Sequence, residues 1–499
     1  MKDDMTEKDN NFSLAAVSSV YFIGIGGIGM SAIARWFHAW GKKVSGYDKT
    51  ESTLTKELQQ EGIDVHYEEN VALIPKDASL VVYTPAVPED HAELVYYREN
   101  AYQVVKRSDV LGLITESSFN ICIAGTHGKT TTTTMVAHIL RDSGYGCNAF
   151  LGGISGNYGT NFWSHMPTGV PGSSEKNVCV VEADEYDRSF LKLNPDVAVI
   201  TAMDPDHLDI YGTAEAMEQA YIDFAKKIRA AGLLVSKFGI KRGRELTAVF
   251  TEKCSRHLTY SLQNDAADVY AENIKMINGS YEFDVRIKDE LIKNVVLNMG
   301  GMHNVENTVA AIAVTSSLQI EKEKIKAAVA SFRGVKRRFE YVIPPRREDS
   351  TLHAGREGRK EVVFIDDYAH HPDELRALIS GARSLFSERK CTVIFQPHLY
   401  SRTKDLADGF AEALDLADEI ILLPIYPARE QPIAGVTAEM ILKKMKSEHK
   451  RVMTKQQLLD WIKNDFSKTI NKEFGEVLIT AGAGDIDLLV EPIKKILDA

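Results

Sequence analysis

The chain repeats one pattern: a short, wholly apolar run, a polar or glycine-rich loop, then a longer stretch. In "SSVYFIGIGGIGMSAIARWFHAWGKKVSGYD" an apolar run over 20–25 meets a glycine-rich turn. A mostly apolar stretch over about 28–40 stops at Gly41, and a second run, 43–47, ends at Asp48. Short apolar runs without alternation predict strands covered on both faces, and the stretch between them predicts a helix, so this is a βαβ unit. "SLVVYTPAV" (79–87) predicts another buried strand.

The design restarts at "FNICIAGTHGKTTTTTMVAHIL". "NVCVVEADEYD" (177–187) and "PDVAVITAMDPDHLDIYG" (195–212) then predict strands that end in acidic or histidine-bearing loops. From about 335 it starts a third time, in "EVVFIDDYAHHP", "CTVIFQPHLYSRT", "EIILLPIYPAREQ" and "EVLITAGAGDID". Strands alternating with helices predict parallel sheets, whose ligands gather at the carboxyl ends of the strands. The expected class is α/β in three consecutive domains. These are a Rossmann-like domain over 18–117, a central P-loop ATPase-like domain with a mostly parallel sheet over 118–334, and a Rossmann-like domain over 335–499. Residues 1–17 read as a loosely attached tail. The charged stretch 343–361 reads as a surface hairpin or loop insertion outside the chemistry.

Composition narrows the field. The 499 residues suit about two to four domains. A formal net charge of −11 gives no global attraction to nucleic acid or an anionic membrane. Cys122, Cys147, Cys179, Cys254 and Cys391 form no CxxC pair and read as small hydrophobes in a reducing compartment. The polar start "MKDDMTEKDN" lacks the apolar core of a signal peptide, and no apolar run is long enough to span a membrane. The expectation is a cytoplasmic protein.

"AGTHGKTTTT" carries the strongest chemical signal. Gly125 and Gly128 let backbone amides approach a phosphate, Lys129 offers a point charge, and the Thr130 hydroxyl can reach Mg²⁺ at a helix start. The loop is two residues shorter than G-x-x-x-x-G-K-[ST], whose first glycine would fall on Ile123. Thr130–Thr134 are poor helix formers, so their place favours capping and ligand contact. Downstream, Glu182, Asp184 and Asp187 follow one strand and His207 follows another, a donor set suited to a phosphate-bound cation. Gly24-x-Gly26-x-x-Gly29 with Asp48 downstream is a dinucleotide fingerprint. It specifies pyrophosphate geometry and leaves NAD, FAD and other nucleotide diphosphates open. Asp367, His370, His371, His398 and Arg402 cluster after strands of the third unit, with Arg402 a candidate carboxylate clamp. Asn304 and Asn307 share a helix face, able to read a base edge or to cap the helix.

"AGTHGKTTTT", "VEADEYDRSF", "DPDHLD", "GMHNVENTVAA", "GVKRRFE", "DDYAHHPDE", "QPHLYSRT" and "AGAGDID" occur in this order and together resemble the Mur ligases of peptidoglycan synthesis, over the chain from about residue 18 to its end. "GIGGIGMSAIA" and "HGKTTTT" resemble the branch that adds L-alanine. The resemblance implies ATP-dependent joining of L-alanine to the carboxylate of UDP-N-acetylmuramate through an acyl phosphate. The implied cofactors are ATP and two Mg²⁺ ions, in a monomer or homodimer.

The resemblance also implies the site residues. The UDP-sugar would lie on Gly24, Gly26, Gly27, Gly29, Met30, Asp48, Thr84, Pro85, Ala86, His127 and Arg188. ATP would lie on Gly125, Thr126, Gly128, Lys129, Thr130, Thr131, Asn304, Asn307, Arg338 and Asp367. One ion would sit on Thr130 and Glu182 and a second between Glu182 and His207, while His370 and Arg402 would line the alanine pocket. Lys129, Glu182, His207 and His370 would carry the catalysis. Two departures stand out. The position about 14 residues past His207, a carbamylated lysine in several relatives, is Tyr221, so no carbamate is expected. Leu399 stands where this branch often has a basic residue. Two other readings remain: a recycling ligase that adds a preformed peptide, and an NAD-dependent oxidoreductase.

Overall fold

The computed structural model describes residues 13–165, 177–253, 256–345, 362–428, 430–471 and 473–498. Cys254, residues 1–12 of the expected tail and 346–361 of the expected surface insertion lie outside them. Of the tail, Leu14–Ala16 form one 3-10 turn and Val17 is buried. The chain divides into two compact units. One holds Met1–Gly153, Thr160–Tyr260 and Ala313–Leu318; the other holds Ile154–Gly159, Ser261–Ile312 and Gln319–Ala499.

The first unit contains two sheets. In the first, β1 (Ser19–Ile23), β2 (Lys43–Tyr47), β3 (Asp64–His66), β4 (Leu80–Tyr83) and β5 (Val104–Lys106) run in the order β3-β2-β1-β4-β5, all parallel. β1 and β4 are buried at every position, which is why they read as unbroken apolar runs. The strand order reverses between them, so a crevice opens outside their carboxyl ends, where the Gly24–Gly29 turn and the Thr84–Ala86 loop lie.

The other sheet of this unit comprises β6 (Phe119–Ala124), β7 (Asn148–Phe150), β8 (Phe162–Trp163), β9 (Val178–Glu182), β10 (Val197–Ile200), β11 (Leu233–Lys237) and β12 (Arg256–Ser261). Their order is β12-β11-β10-β6-β9-β7-β8, parallel except for β7 with β8. β6 lies between β9 and β10, with Ile123 opposite Glu182 and Ala124 opposite Ile200. That register brings the loops after β9 and β10 alongside the phosphate-type loop after β6.

The threonine run departs from expectation. Thr130–Thr134 lie inside the helix Lys129–Asp142, all buried, and Gly128, not a threonine, is the N-cap. Thr134 Oγ1 satisfies itself on the Thr130 carbonyl at 2.7 Å. Burial against the sheet overrides weak intrinsic propensity here.

In the second unit, β13 (Val269–Ile277), β14 (Ser280–Ile287) and β15 (Glu290–Leu297) form an antiparallel meander. β16 (Glu340–Ile343), β17 (Val362–Asp367), β18 (Lys390–Phe395), β19 (Glu419–Leu422), β20 (Lys450–Val452) and β21 (Glu476–Ala481) form a sheet in the order β16-β17-β21-β18-β19-β20, parallel apart from the edge strand β16. Cys122, Cys147, Cys179 and Cys391 are free and buried, and burial pushes all four thiols up. No described helix is long and apolar enough to cross a membrane.

Candidate active site

The loop after β6 is pulled tightly against β10. A Cβ at Gly125, which has φ of 126°, would stand 2.2 Å from Thr201 Oγ1, so only glycine fits. Lys129, the first residue of the following helix, donates to the Gly125 carbonyl at 2.7 Å and to Glu185 at 2.6 Å. Thr130 Oγ1 donates to Glu182 Oε1 at 3.1 Å, and the Gly152 N–H donates to Glu182 Oε2 at 3.1 Å. Thr126 Oγ1 accepts the N–H of Asp204 at 3.2 Å. His127 is exposed, its Nε2 3.8 Å from Asp204.

Two oxygen-rich groups flank this loop. Thr130 with Glu182 is one. The other is Glu185, Asp206 and His207, whose potential ligand atoms lie within 4.8 Å of one another. Hydroxyl and carboxylate oxygens fit the hard Mg²⁺ ion. The geometry thus groups His207 with Glu185 and Asp206, whereas the resemblance paired it with Glu182. His207 has a left-handed backbone (φ 49°), and the Tyr186 ring meets its imidazole edge-on at 5.4 Å. Burial raises the Glu185 carboxyl above its usual range, opposed by Lys129. Asp184 and Asp187 turn to cations of the first sheet's domain: Arg107 at 3.4 Å and Lys106 at 3.6 Å. Arg188, also left-handed, lies over the Tyr211 ring at 5.1 Å.

A cavity of about 350 Å³ runs from the first glycine turn to Glu182, the carboxylate that accepts from Thr130 of the second. Gly27, Gly29 and Met30 line it from the first turn, Thr84, Pro85 and Ala86 from the loop after β4, and Gly152 and Glu182 from the phosphate-loop side. Phe150 and Leu111 add apolar walls. Gly24 and Gly26 shape the turn instead. The Gly24 N–H bonds the Tyr47 carbonyl at 2.8 Å, and the Gly26 N–H bonds Asp48. Asp48 also accepts from the Thr50 N–H at 3.0 Å, so its carboxylate is engaged by backbone.

Sequence reasoning missed Arg107, which also lines the cavity, and Glu185. Glu185 stood in a quoted acidic run, where its rank among four acids was invisible. Arg107 opens a helix, Arg107–Glu116, that lies outside every motif marking the site in the sequence.

In the second unit Asn304 and Asn307 are buried on the helix Met302–Ser317. Asn304 Nδ2 donates to the Gly300 carbonyl at 2.6 Å, and Asn307 Nδ2 to Asn304 Oδ1 at 3.2 Å. Asp367 accepts two backbone N–H groups, of Phe339 and Ala369, each at 2.7 Å. Burial pushes its carboxyl up to about 6 against those bonds and the nearby Arg338. Arg337, one residue earlier, holds Asp366 at 3.2 Å. His370 Nδ1 lies 3.0 Å from the Tyr368 carbonyl, and its ring is 6.3 Å from that of His398. Burial holds His398 below the usual histidine range, with Arg402 and His370 adding to the effect. Arg402 stands on the short helix Tyr400–Asp405 and forms no ion pair among the described residues. His371 instead caps the helix Pro372–Leu385. Leu399, at φ 69°, precedes the Arg402 helix, and Tyr221 is fully buried against Phe190, ring centroids 5.3 Å apart.

Three family profiles match the chain: the Mur ligase family catalytic domain over 19–118, the Mur ligase middle domain over 123–315, and the Mur ligase glutamate ligase domain over 354–484. The chain is 47% identical to the UDP-N-acetylmuramate–L-alanine ligase of Parabacteroides distasonis, over 96% of this chain and 97% of that one. It is 44% identical to the ligase of the same name from Flavobacterium johnsoniae, over 97% and 99%. Among solved structures it resembles the UDP-N-acetylmuramate-alanine ligase of Thermotoga maritima, with TM-score 0.74, 28% identity and coverage of 96% and 98%. A murein peptide ligase from Psychrobacter arcticus, at TM-score 0.63 and 21% identity, shares the fold. With similarity running end to end through all three matched segments, the chain belongs to the Mur ligase family.

Proposed function

We propose that this chain joins L-alanine to the carboxylate of UDP-N-acetylmuramate at the expense of ATP, through an acyl phosphate, in peptidoglycan precursor synthesis. One observation carries the reading: a single cavity runs from the first glycine turn to Glu182 beside the phosphate loop. A nucleotide sugar seated on the first turn can therefore extend its carboxylate toward the second. The first turn is a seat for UDP rather than for a redox cofactor, and only the nucleotide on the second is consumed.

The residues suit the charge problem. A carboxylate and a triphosphate repel, so the loop must supply positive charge and orientation. Lys129 offers its ammonium to the β/γ oxygens, and backbone amides of Gly125–Lys129 at the helix start complete the cradle. Bound at Thr130 and Glu182, and at a second position beside His207, Mg²⁺ would neutralise the phosphoryl oxygens. The muramate carboxylate attacks the γ-phosphorus, ADP leaves, and the mixed anhydride holds an electrophilic carbonyl. The alanine amine then adds to that carbonyl, phosphate leaves, and the amine sheds a proton. His370 is our candidate to receive it. Its Nδ1 faces a carbonyl, which can only accept, so in the neutral ring Nδ1 would carry the hydrogen and Nε2 would be the atom that takes the proton. Arg402 would pair with the alanine carboxylate. Asn304, Asn307, Arg338 and Asp367 are proposed around the nucleotide. The domain division 18–117, 118–334 and 335–499 is supported by the three separately matched segments. We place the protein in the cytoplasm, supported by the lack of a membrane-spanning helix among described residues.

The test is phosphate release with UDP-N-acetylmuramate, ATP and a panel of amino acids beside a tripeptide. L-Alanine should be preferred, and a tripeptide preference would favour the recycling reaction. With ¹⁸O in the muramate carboxylate, one label should reach the released phosphate; none would exclude the acyl phosphate.

A further inference from the structure

The contact between Lys129 and Glu185 is lopsided. The two side chains are 2.6 Å apart, with Lys129 14% and Glu185 2% exposed. Only one carboxylate oxygen takes part. Glu185 Oε2 is buried and has no hydrogen-bond partner among the described residues. The Tyr211 hydroxyl pins the Glu185 backbone carbonyl at 2.7 Å, so the residue is anchored where it stands. Asp206 and His207 complete the group of donor atoms within 4.8 Å. Asp206 is 51% exposed and His207 34%, so the group opens to solvent on that side.

An ammonium already paired with a carboxylate is a poor host for phosphate. When Lys129 turns to the nucleotide, it leaves behind a buried carboxylate without a counter-charge, which is costly. A divalent cation beside Asp206 and His207 removes that cost.

We propose that Glu185 is a positioning residue with two partners in turn: Lys129 while the loop is free of nucleotide, and a divalent cation shared with Asp206 and His207 once Lys129 engages phosphate. The exchange couples the two ligands, so each raises the other's affinity by the same factor. This rests on reading Gly125–Thr130 as the ATP loop.

Nucleotide binding to the full-length enzyme, without turnover, tests it. ATP affinity is measured by calorimetry in EDTA and again in Mg²⁺. Glu185→Gln frees Lys129, so ATP without metal should bind about tenfold tighter than to the wild type, while the gain from Mg²⁺ shrinks to about threefold or less. General damage to the fold would weaken binding, the opposite direction. Asp206→Asn, at an exposed position, should leave metal-free ATP affinity unchanged and also reduce the Mg²⁺ gain. Unchanged or weaker metal-free binding in Glu185→Gln, or an undiminished Mg²⁺ gain in both variants, overturns the exchange while leaving the ATP loop in place. A wild type that binds no ATP under either condition overturns both.

Discussion

The Gly26 backbone N–H donates to Asp48 Oδ2 across 2.8 Å. The acid at the end of β2 therefore braces the glycine turn in this structure, and a Cβ at Gly26 would come within 2.8 Å of the same oxygen. Asp48→Ala should loosen the turn. The expected outcome is a stability loss of about 1–2 kcal/mol, read by thermal denaturation. KM for the UDP-sugar should rise about tenfold with KM for ATP unchanged. An unaltered UDP-sugar KM would show that the bond is ornamental to binding.

Gly152 sits at the other end of the cavity. A Cβ there would lie 2.2 Å from Glu182 Oε2 and 2.4 Å from its carboxyl carbon. Gly152→Ala must push the Glu182 carboxylate away from Thr130, since the backbone N–H that holds it is on the substituted residue itself. A fall of about 10²-fold or more in kcat is expected, together with a higher Mg²⁺ requirement in a titration of initial rates. Full activity at low Mg²⁺ would mean that Glu182 is not a cation ligand.

The parallel sheets and both glycine turns were legible because buried parallel strands announce themselves as unbroken apolar runs and because few residue types tolerate close phosphate approach. The β13–β15 meander was less audible. Its strands are half exposed, and its best marker was Asn278-Gly279, a two-residue loop with φ of 43° and 75°. The pairing of Lys129 with Glu185 was not legible at all. It depends on the parallel pairing of β6 with β9, and a string of acids does not say which one turns inward. The threonine run misled for the same reason: propensity is local, and burial is not.

Glu476 offers a pH prediction remote from the chemistry. It begins β21, fully buried, with the Thr392 hydroxyl donating to it and Lys390 3.6 Å away. Burial pushes its carboxyl from 4.5 up to about 7, opposed by Thr392 and Lys390. A raised folded-state value means the native protein binds this proton more tightly than the unfolded chain. Its stabilising contribution is complete below about 4.5 and is lost as pH rises through about 7. Glu476→Gln, permanently neutral, should flatten that part of the profile. Its stability relative to wild type should rise by roughly 1–3 kcal/mol between those limits. Denaturant titrations across the range measure the difference; parallel curves would refute the assignment.

Arg402 decides whether the amino-acid site is where we place it. Its guanidinium forms no ion pair among the described residues, while Arg402 together with His370 bears on the depressed His398. A planar fork can grip a carboxylate with two parallel bonds, and a lysine at the same place offers one point charge on a differently shaped stem. Arg402→Lys should therefore keep the positive charge yet raise KM for L-alanine by about 10–100-fold. The first half-reaction does not need the amino acid, so exchange of labelled ADP into ATP in the presence of UDP-N-acetylmuramate, through reversible acyl-phosphate formation, should survive in the variant. Loss of both together would place Arg402 on phosphate rather than on alanine, and an unchanged alanine KM would remove it from the site.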